Sequence, residues 1–225
     1  MSMPALPDGP RAFFTSWSGG KDSCLAHYRM LSAGWEPRGL LSMLVEQGDR
    51  SRSHGLPPEV LRAQAEALGL PIVFRAATWE GYEAGFLDAL AELKRSGVGA
   101  GVFGDIDIDG HREWVERVCA RSGITPCEPL WKSGRRALLE EFIAAGFAAR
   151  IVVVNESALA ASFLGRTLDA ALIGEFEALG VDPSGENGEY HTVVFEGPIF
   201  SRPLRLRDQG CTRQDGYAFL HVAIR

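Results

Sequence analysis

The sequence lacks a long apolar run, a cluster of cysteines and an excess of positive charge. No window approaches the roughly 20 consecutive apolar residues that a membrane helix needs, so we expect no membrane span and a cytoplasmic protein. Residues 1–10 lack a basic region followed by an apolar stretch, so we interpret them as a loose leader and not as a secretory signal. The net charge of -6 argues against a broad nucleic-acid surface, although a local basic groove could lie within an acidic total.

Cysteine pairs with metal-binding or redox spacing are also missing. The four cysteines form no C-x-x-C pair and no metal-like grouping with the five histidines. We therefore expect buried thiols, above all at Cys119, which lies on an apolar helical face. The hydrophobic content of 46% and the charged content of 23% are ordinary for a globular protein that buries a sizeable core.

Apolar runs alternate with helical patterns over the first 130 residues. Strand-like runs at 12–14, 38–45, 70–74 and 98–103 are separated by helical patterns, and 124–130 returns as a strand or extended segment. Parallel strands need such crossovers, so the pattern predicts an α/β fold with a doubly wound parallel sheet. From residue 131 the rhythm changes, and alternation at 204–207 and 217–224 favours antiparallel strands. We expect two domains: 1–130, and a smaller α+β domain at 131–225.

The sequence W-S-G-G-K-D-S at 17–23 lies between the first strand and a helical stretch. Gly19 and Gly20 have no Cβ and allow close approach of an anion, and the first N–H groups of a helix have no intrahelical partners. The turn is therefore suited to a phosphate. Ser18 and Ser23 add hydroxyl donors, and Asp22 could hold magnesium or orient the loop. The alternative is a plain strand-to-helix turn with solvated Lys21 and Asp22.

Three other segments carry polar groups. Gly104 and Asp105 follow a strand, and Asp105 is either a ligand or a turn or cap residue. The loop at 182–192 is either a polar turn with positive φ at its glycines or a site in which carboxylates and a histidine bind magnesium, bind a cationic group or orient a nucleophile. The segment at 50–55 could reach a triphosphate through His54, or be a solvated loop.

The first motif resembles the PP-loop of the ATP pyrophosphatase superfamily, S-G-G-x-D-S, and departs from the Walker pattern G-x-x-x-x-G-K-[ST]. This resemblance implies a HUP or Rossmann-like fold, transfer of AMP to a substrate oxygen, and release of pyrophosphate. Together with G-E-N-G-E-Y-H-T at 185–192, it resembles the diphthine-ammonia ligase family, also described as N-type ATP pyrophosphatases. Further family features are at 64–65, 69–71, 104–106, 128–131 and 163–166.

The resemblance implies that ATP and ammonia are used to amidate a carboxylate, which is diphthine on translation elongation factor two in characterised members. Archaeal and eukaryotic members usually carry G-E-G-G-E-[FY]-E-T, whereas Asn187 and His191 look like the form of uncharacterised bacterial relatives. Bacteria lack diphthamide, so the acceptor could be another carboxylate or carbonyl, including a modified protein side chain. His191, which can become cationic, would then change the charge presented to it. Free ammonia or a partner would supply nitrogen, and a homo-oligomer stays possible.

The resemblance also implies the site residues. Asp22, Glu189 and His191 are the expected catalytic residues, with magnesium on Asp22. The expected nucleotide-binding residues are Ser16, Ser18, Gly19, Gly20, Lys21, Asp22, Ser23, Met43, Gly104 and Asp105. The expected substrate-binding residues are Glu186, Asn187, Glu189, Tyr190, His191 and Thr192. Two other functions remain open: a PP-loop tRNA sulfur transferase, and a sensor that binds ATP or AMP without turnover.

Overall fold

The computed structural model describes residues 11–225, and the expected leader at 1–10 lies outside them. The described chain forms one parallel and one antiparallel sheet. Over the same residues, none of the helices combines the length and the apolarity that crossing a membrane requires.

The parallel sheet has five strands in the order β3-β2-β1-β4-β5. The strands are β1 (Ala12–Ser16), β2 (Glu36–Leu44), β3 (Ile72–Ala76), β4 (Ala100–Val102) and β5 (Thr125–Cys127). The helices between them are α1 (Lys21–Ser32), α2 (Pro58–Leu68), α3 (Tyr82–Arg95) and α4 (Asp109–Ser122). Buried side chains of β1, β2, α3 and α4 form its apolar core, including Phe14, Leu41, Phe86 and Val118. The predicted α/β class is confirmed. Successive strands are added on one side of β1 up to β3 and on its other side from β4 onward, and ligands of such sheets bind where this order reverses.

The antiparallel sheet has four strands in the order β7-β6-β9-β8. They are β6 (Ala148–Asn155), β7 (Tyr190–Glu196), β8 (Leu206–Gln214) and β9 (Tyr217–Ile224). Two helices, α5 (Arg135–Ala144) and α6 (Ala170–Ala178), and a short 3-10 helix (Ala161–Phe163) accompany it. Asp215 and Gly216 turn the β8–β9 hairpin with φ of 51° and 80°, as expected for a two-residue turn of this kind.

The structure divides into two compact units that interleave along the chain. The first contains the described residues up to Ser18, Asp22–Arg52 and Gly69–Ser133. The second contains Gly19–Lys21, Ser53–Leu68 and Gly134–Arg225. Helix α2 and three residues of the glycine loop therefore group with the antiparallel sheet. The division into domains at 1–130 and 131–225 stays a prediction.

All four cysteines are free thiols. The expectation of buried thiols is confirmed for Cys24, Cys119 and Cys127 and is wrong for Cys211, which is exposed on β8. Burial raises the pKa of Cys119 and of Cys127 to about 12. These two thiols are therefore protonated at neutral pH.

Candidate functional site

The glycine loop follows β1 and ends where α1 begins at Lys21, in the strand, turn and helix order that the sequence predicts. Gly19 has a φ of 80°, a conformation in which glycine carries no steric cost. The backbone N–H of Lys21 donates to Thr192 Oγ1 at 3.1 Å. Thr192 thus satisfies one of the N–H groups at the start of the helix, and it ties the loop to β7.

Helix α2 encloses Gly19. A Cβ on Gly19 would lie 2.8 Å from Gln64 Oε1, and side-chain atoms of Leu56 and Leu61 would be as close. The Gly19 carbonyl accepts hydrogen bonds from Gln64 Nε2 and from the Val194 N–H, both at 2.9 Å. Gln64 Nε2 also donates to the Val194 carbonyl at 2.7 Å. Packing as well as φ therefore requires glycine at this position.

His54 occupies the space beside Gly20. A Cβ on Gly20 would lie 2.2 Å from His54 Cε1. His54 Nδ1 lies 2.8 Å from the Thr192 carbonyl, and because a carbonyl only accepts, Nδ1 carries the proton. The two ring centroids of His54 and His191 are 4.7 Å apart. The residue is half-buried, whereas Arg50 and Ser53 of the same segment are exposed. Whether His54 reaches a triphosphate stays a prediction.

The loop at 185–192 surrounds the side chain of Lys21. Lys21 Nζ lies 3.9 Å from Glu186 Oε1 and 5.6 Å from the centre of the Tyr190 ring. The side chains of Lys21 and Glu186 are only 7% and 15% exposed, respectively. This is a loose, nearly buried ion pair at the first residue of α1, and it joins the glycine loop to the loop at 185–192.

Glu189 and His191 are held inside this loop. Glu189 is buried and accepts hydrogen bonds from the Asn187 N–H at 2.9 Å and from Asn187 Nδ2 at 3.0 Å. Burial, and then the charges of His54 and Lys21, lower the pKa of His191 well below its ordinary value. His191 is therefore neutral at pH 7, and its interpretation as a cationic group is wrong for this structure.

The loop also has the features of a hydrogen-bonded polar turn. Gly185 and Gly188 have φ of 71° and 82°, as the polar-turn alternative expects. The Asp182 carboxylate accepts the N–H groups of Ser184 and Glu186 at 3.1 and 2.9 Å. The turn geometry and the contacts with Lys21 coexist, so the two alternatives do not exclude each other.

The remaining expected residues lie in the first unit. Ser18 Oγ and Ser23 Oγ are 3.0 Å apart. A Cβ on Gly104 would lie 2.9 Å from the backbone of Asp22 and Ser23, so glycine allows the end of β4 to approach the start of α1. Ser16 is the half-buried last residue of β1.

Two of these residues have additional partners. The Met43 side chain belongs to the apolar core, so any contact of Met43 with a nucleotide is left to its backbone. Asp105 Oδ1 lies 3.1 Å from His111 Nδ1. The catalytic and binding roles of all these residues stay predictions.

Two family models together match most of the chain. Residues 13–126 match the diphthamide synthase N-terminal domain, and residues 135–223 match the diphthamide synthase C-terminal domain. The glycine loop lies within the first matched range, and the loop at 185–192 lies within the second.

Curated relatives agree with the family models. The Danio rerio protein named diphthine-ammonia ligase is 30% identical over 83% of this chain and 83% of its own length. The Homo sapiens and Mus musculus proteins of that name are 29% and 27% identical, each over 92% of this chain and 86% of the relative. A solved structure, the predicted subunit of tRNA methyltransferase from Methanocaldococcus jannaschii, is 15% identical with a TM-score of 0.42 over 81% of this chain and 95% of that one. That likeness is too low to support an argument. On the family models and curated relatives, the chain belongs to the diphthine-ammonia ligase family of ATP-dependent ligases.

Proposed function

We propose that the chain uses ATP and ammonia to convert a carboxylate or carbonyl acceptor into an amide, with release of AMP and pyrophosphate. The observation that supports this most directly is the cluster around Lys21. The first residue of α1 contacts Glu186 and Tyr190 through its side chain and Thr192 through its backbone. One phosphate-binding motif and one acceptor-binding motif therefore share a cationic residue.

The glycine loop would bind the phosphates of ATP. Backbone N–H groups at the start of α1 and the hydroxyls of Ser18 and Ser23 supply donors of the kind that phosphates need. The Lys21–Glu186 pair is long at 3.9 Å, so the ammonium group can turn from the carboxylate to a phosphate oxygen at little electrostatic cost. Glu186 would hold Lys21 in place before ATP arrives.

Magnesium fits this arrangement through Asp22. No group of three or more metal-binding side chains lies within residues 11–225. Magnesium in nucleotide sites commonly uses one or two carboxylates together with substrate phosphates. Asp22, half-buried in the first turn of α1 and next to the close approach of Gly104, would supply such a carboxylate. Bound there, magnesium would offset the charge of the phosphates.

The loop at 185–192 would bind the acceptor and keep water out. Glu189 orients Asn187 through two hydrogen bonds, which leaves the amide oxygen of Asn187 to face a donor. Because its pKa lies well below the ordinary value, His191 stays neutral, and the unprotonated nitrogen of its ring could accept a hydrogen bond from the acceptor. An acyl-adenylate hydrolyses when water reaches it, so the burial of Tyr190 and Thr192 suits a closed site. We place the reaction in the cytoplasm, where ATP is available.

Product analysis tests the proposal. The purified chain is incubated with ATP, magnesium, ammonium and fractions of cell extract, and the nucleotides are separated by chromatography. We expect AMP and pyrophosphate in amounts that depend on both ammonium and an extract component. Lys21→Ala serves as the control for contaminating enzymes. ADP and phosphate as the only products would overturn the proposal.

The same measurement separates the two other functions. A sensor would bind ATP without forming AMP in any fraction. A sulfur transferase would need a reactive thiol, yet burial raises the pKa of Cys24, Cys119 and Cys127, and thiols in that state are poor nucleophiles. The exposed Cys211 is on β8, at the opposite edge of the antiparallel sheet from β7, which follows the loop at 185–192. The positions and environments of the cysteines therefore favour the amide ligase.

A further inference from the structure

Two acidic residues, Asp105 and Glu128, follow the carboxyl ends of the neighbouring strands β4 and β5. Strands β4 and β5 pair Val102 with Cys127 at their carboxyl ends, and the Phe103 N–H donates to the Cys127 carbonyl at 2.9 Å. Strand β4 also pairs with β1, so the ends of β4 and β5 lie next to the strand that leads into the glycine loop.

Glu128 is a buried carboxylate with an unusual hydrogen-bonding state. Its side chain is 7% exposed, and its Oε2 lies 3.6 Å from Arg112 Nε. Its Oε1 is fully buried and has no hydrogen-bond partner among the described residues. A buried carboxylate oxygen requires a donor, since burial without one is unfavourable. The geometry therefore suits a small ligand with N–H groups.

The charges around Glu128 favour a cationic donor. Arg112 is shared, because its Nε lies 2.8 Å from Glu116 Oε1 and its guanidinium lies 4.8 Å from the centre of the Trp131 ring. Asp105 and Glu116 add negative charge near Glu128. Burial, followed by Asp105, raises the pKa of Glu128 to about 7, and Arg112 opposes this rise. The other ionisable groups in this region are His111, Asp109, Lys132 and the protonated thiols of Cys119 and Cys127.

Resting on the ligase function proposed above, we propose that Asp105 and Glu128 bind the nitrogen nucleophile as an ammonium ion and that Glu128 accepts its first proton. Ammonium is small, and it donates up to four hydrogen bonds. Asp105 also accepts from His111 when that ring carries a proton on Nδ1, so the pair would hold the ion mainly through Glu128 Oε1 and the second oxygen of Asp105.

Ammonium transfers one proton to the Glu128 carboxylate and becomes ammonia. The nitrogen lone pair forms a bond to the acyl carbon of the acyl-adenylate, and the carbon–oxygen bond to AMP breaks with its electron pair leaving on the phosphate. A second proton passes from nitrogen to water, and the products are the amide, AMP and protonated Glu128. A carboxyl group that titrates near neutral pH is well matched to the first transfer.

Carboxylate titration with ammonium as the probe tests the proposal without ATP or an acceptor. The full chain is labelled with ¹³C at the glutamate carboxyl carbons, and the Glu128 signal is assigned by its loss in Glu128→Gln or Glu128→Asp. Its titration midpoint is measured in ammonium chloride and in potassium chloride at equal ionic strength. Potassium matches ammonium in charge and approximate size but donates no hydrogen bonds.

We expect a lower midpoint in ammonium, because the ion stabilises the charged carboxylate. With ammonium at roughly ten times its dissociation constant, the shift should be about one pH unit. Asp105→Asn should reduce the shift. Glu116→Gln, which removes the exposed carboxylate on the other side of Arg112, should retain it.

Equal midpoints in the two salts would overturn the ammonium site, and so would a Glu128 signal that titrates in the ordinary range of glutamate in both. An unchanged shift in Asp105→Asn would remove Asp105 from the proposal. A negative result in the titration would not decide whether the chain forms AMP, which the product analysis tests separately. Ammonium binding would likewise survive if AMP did not form.

Discussion

The His54 ring makes a hydrogen bond and a packing contact that substitution can separate. Asparagine at this position can place an N–H near that of Nδ1, which donates to the Thr192 carbonyl, whereas alanine removes the bond and the contact with His191. A hydrogen bond contributes about 1 kcal/mol, so we expect His54→Ala to weaken ATP binding by about fivefold to tenfold. His54→Asn should stay within about threefold of the unchanged protein. Calorimetric titration with ATP measures both.

The matched control for His54 is His221, an exposed histidine that contacts Thr212 at 2.8 Å. His221→Ala should leave ATP affinity unchanged. Equal affinity of His54→Ala and the unchanged protein would show that His54 has no part in organising the glycine loop.

Gly20 needs a test that takes His54 into account. Any side chain on Gly20 meets the His54 ring first, so weak ATP binding by a single Gly20 variant has two explanations. In a His54→Ala background, we expect Gly20→Ala to weaken ATP binding further, because a Cβ also hinders approach of the phosphates. Calorimetry on the double variant measures this loss. No further loss would indicate that Gly20 is needed for packing alone.

His27 gives a pH dependence to folding stability. Its ring is buried beside Phe13 and Trp17, Nδ1 lies 2.7 Å from Thr15 Oγ1, and burial lowers its pKa from 6.5 to about 4. In the unfolded chain His27 binds a proton below about pH 6.5, whereas in the folded chain it binds one only below about pH 4. The free energy of unfolding therefore falls as pH drops through this window, by up to about 3 kcal/mol.

We expect His27→Gln to reduce that pH dependence, because glutamine can still bond to Thr15 but does not titrate. Urea unfolding followed by circular dichroism at several pH values between 4 and 7 measures it. The exposed His221→Gln variant is the control, and it should retain the full slope. A slope in His27→Gln equal to that of the unchanged protein would contradict the assignment.

Helix α2 stabilises the glycine loop and β7 through one residue. Gln64 is fully buried and donates to the carbonyls of Gly19 and Val194. Gln64→Leu removes both of these hydrogen bonds, but the Gly19 carbonyl keeps the Val194 N–H as a donor. A buried carbonyl that loses its donor costs about 1 to 3 kcal/mol, so we expect a loss of about 1 to 3 kcal/mol in the free energy of unfolding. Glu66, on the same helix, makes an exposed pair with Arg202 at 3.5 Å, and Glu66→Gln should cost less than about 0.5 kcal/mol.

Urea unfolding of the two α2 variants measures these costs. Equal stability of Gln64→Leu and Glu66→Gln would show that Gln64 does not hold the loop. Because Val194 N–H also donates to Gly19, the larger part of the effect is expected at the Val194 carbonyl.

Local sequence signals predict elements well where one face is buried. Pro58 begins α2, and Gly69 with a φ of 70° follows its end, which are the positions that proline and glycine favour at helix ends. The sequence predicts strand β8 only at 204–207, whereas the strand runs from Leu206 to Gln214. Nearly all of it is exposed, and an exposed edge strand has no apolar alternation to reveal it.

The site could be predicted in its motifs but not in its contacts. Gln64 and Val194 are 130 residues apart in sequence, and His54 and Thr192 are 138 apart. A polar residue within a helix and a histidine in a loop carry no sign of such distant partners. Contacts of this kind depend on tertiary packing, so a single sequence does not reveal them.

The chain passes several times between the two units, and each unit is therefore built from separate segments of the sequence. Helix α2 precedes most of the first unit's sequence, yet it buries Val60 and Leu61 within the second. A fragment ending at residue 130 lacks β7 and β9, so we expect α2 to be unprotected there. Hydrogen exchange at 58–68 measures this, and protection equal to that in the full chain would contradict the interleaved division.

A control fragment variant sharpens that experiment. Val60→Ser with Leu61→Ser removes the apolar face of α2, so it should lower the binding of a hydrophobic dye to the fragment. If α2 is already packed in the fragment, the substitutions should instead raise dye binding.

The distribution of two residue types gives each unit its own optical label. All five tryptophans, at positions 17, 35, 79, 114 and 131, lie in the first unit. Cys211 lies in the second unit and is the exposed thiol among four whose other members are buried, so a maleimide dye on the folded protein should attach there. Intrinsic fluorescence and dye fluorescence then follow different halves of one molecule. Their melting curves, with and without ATP, would show whether the nucleotide stabilises one unit or both.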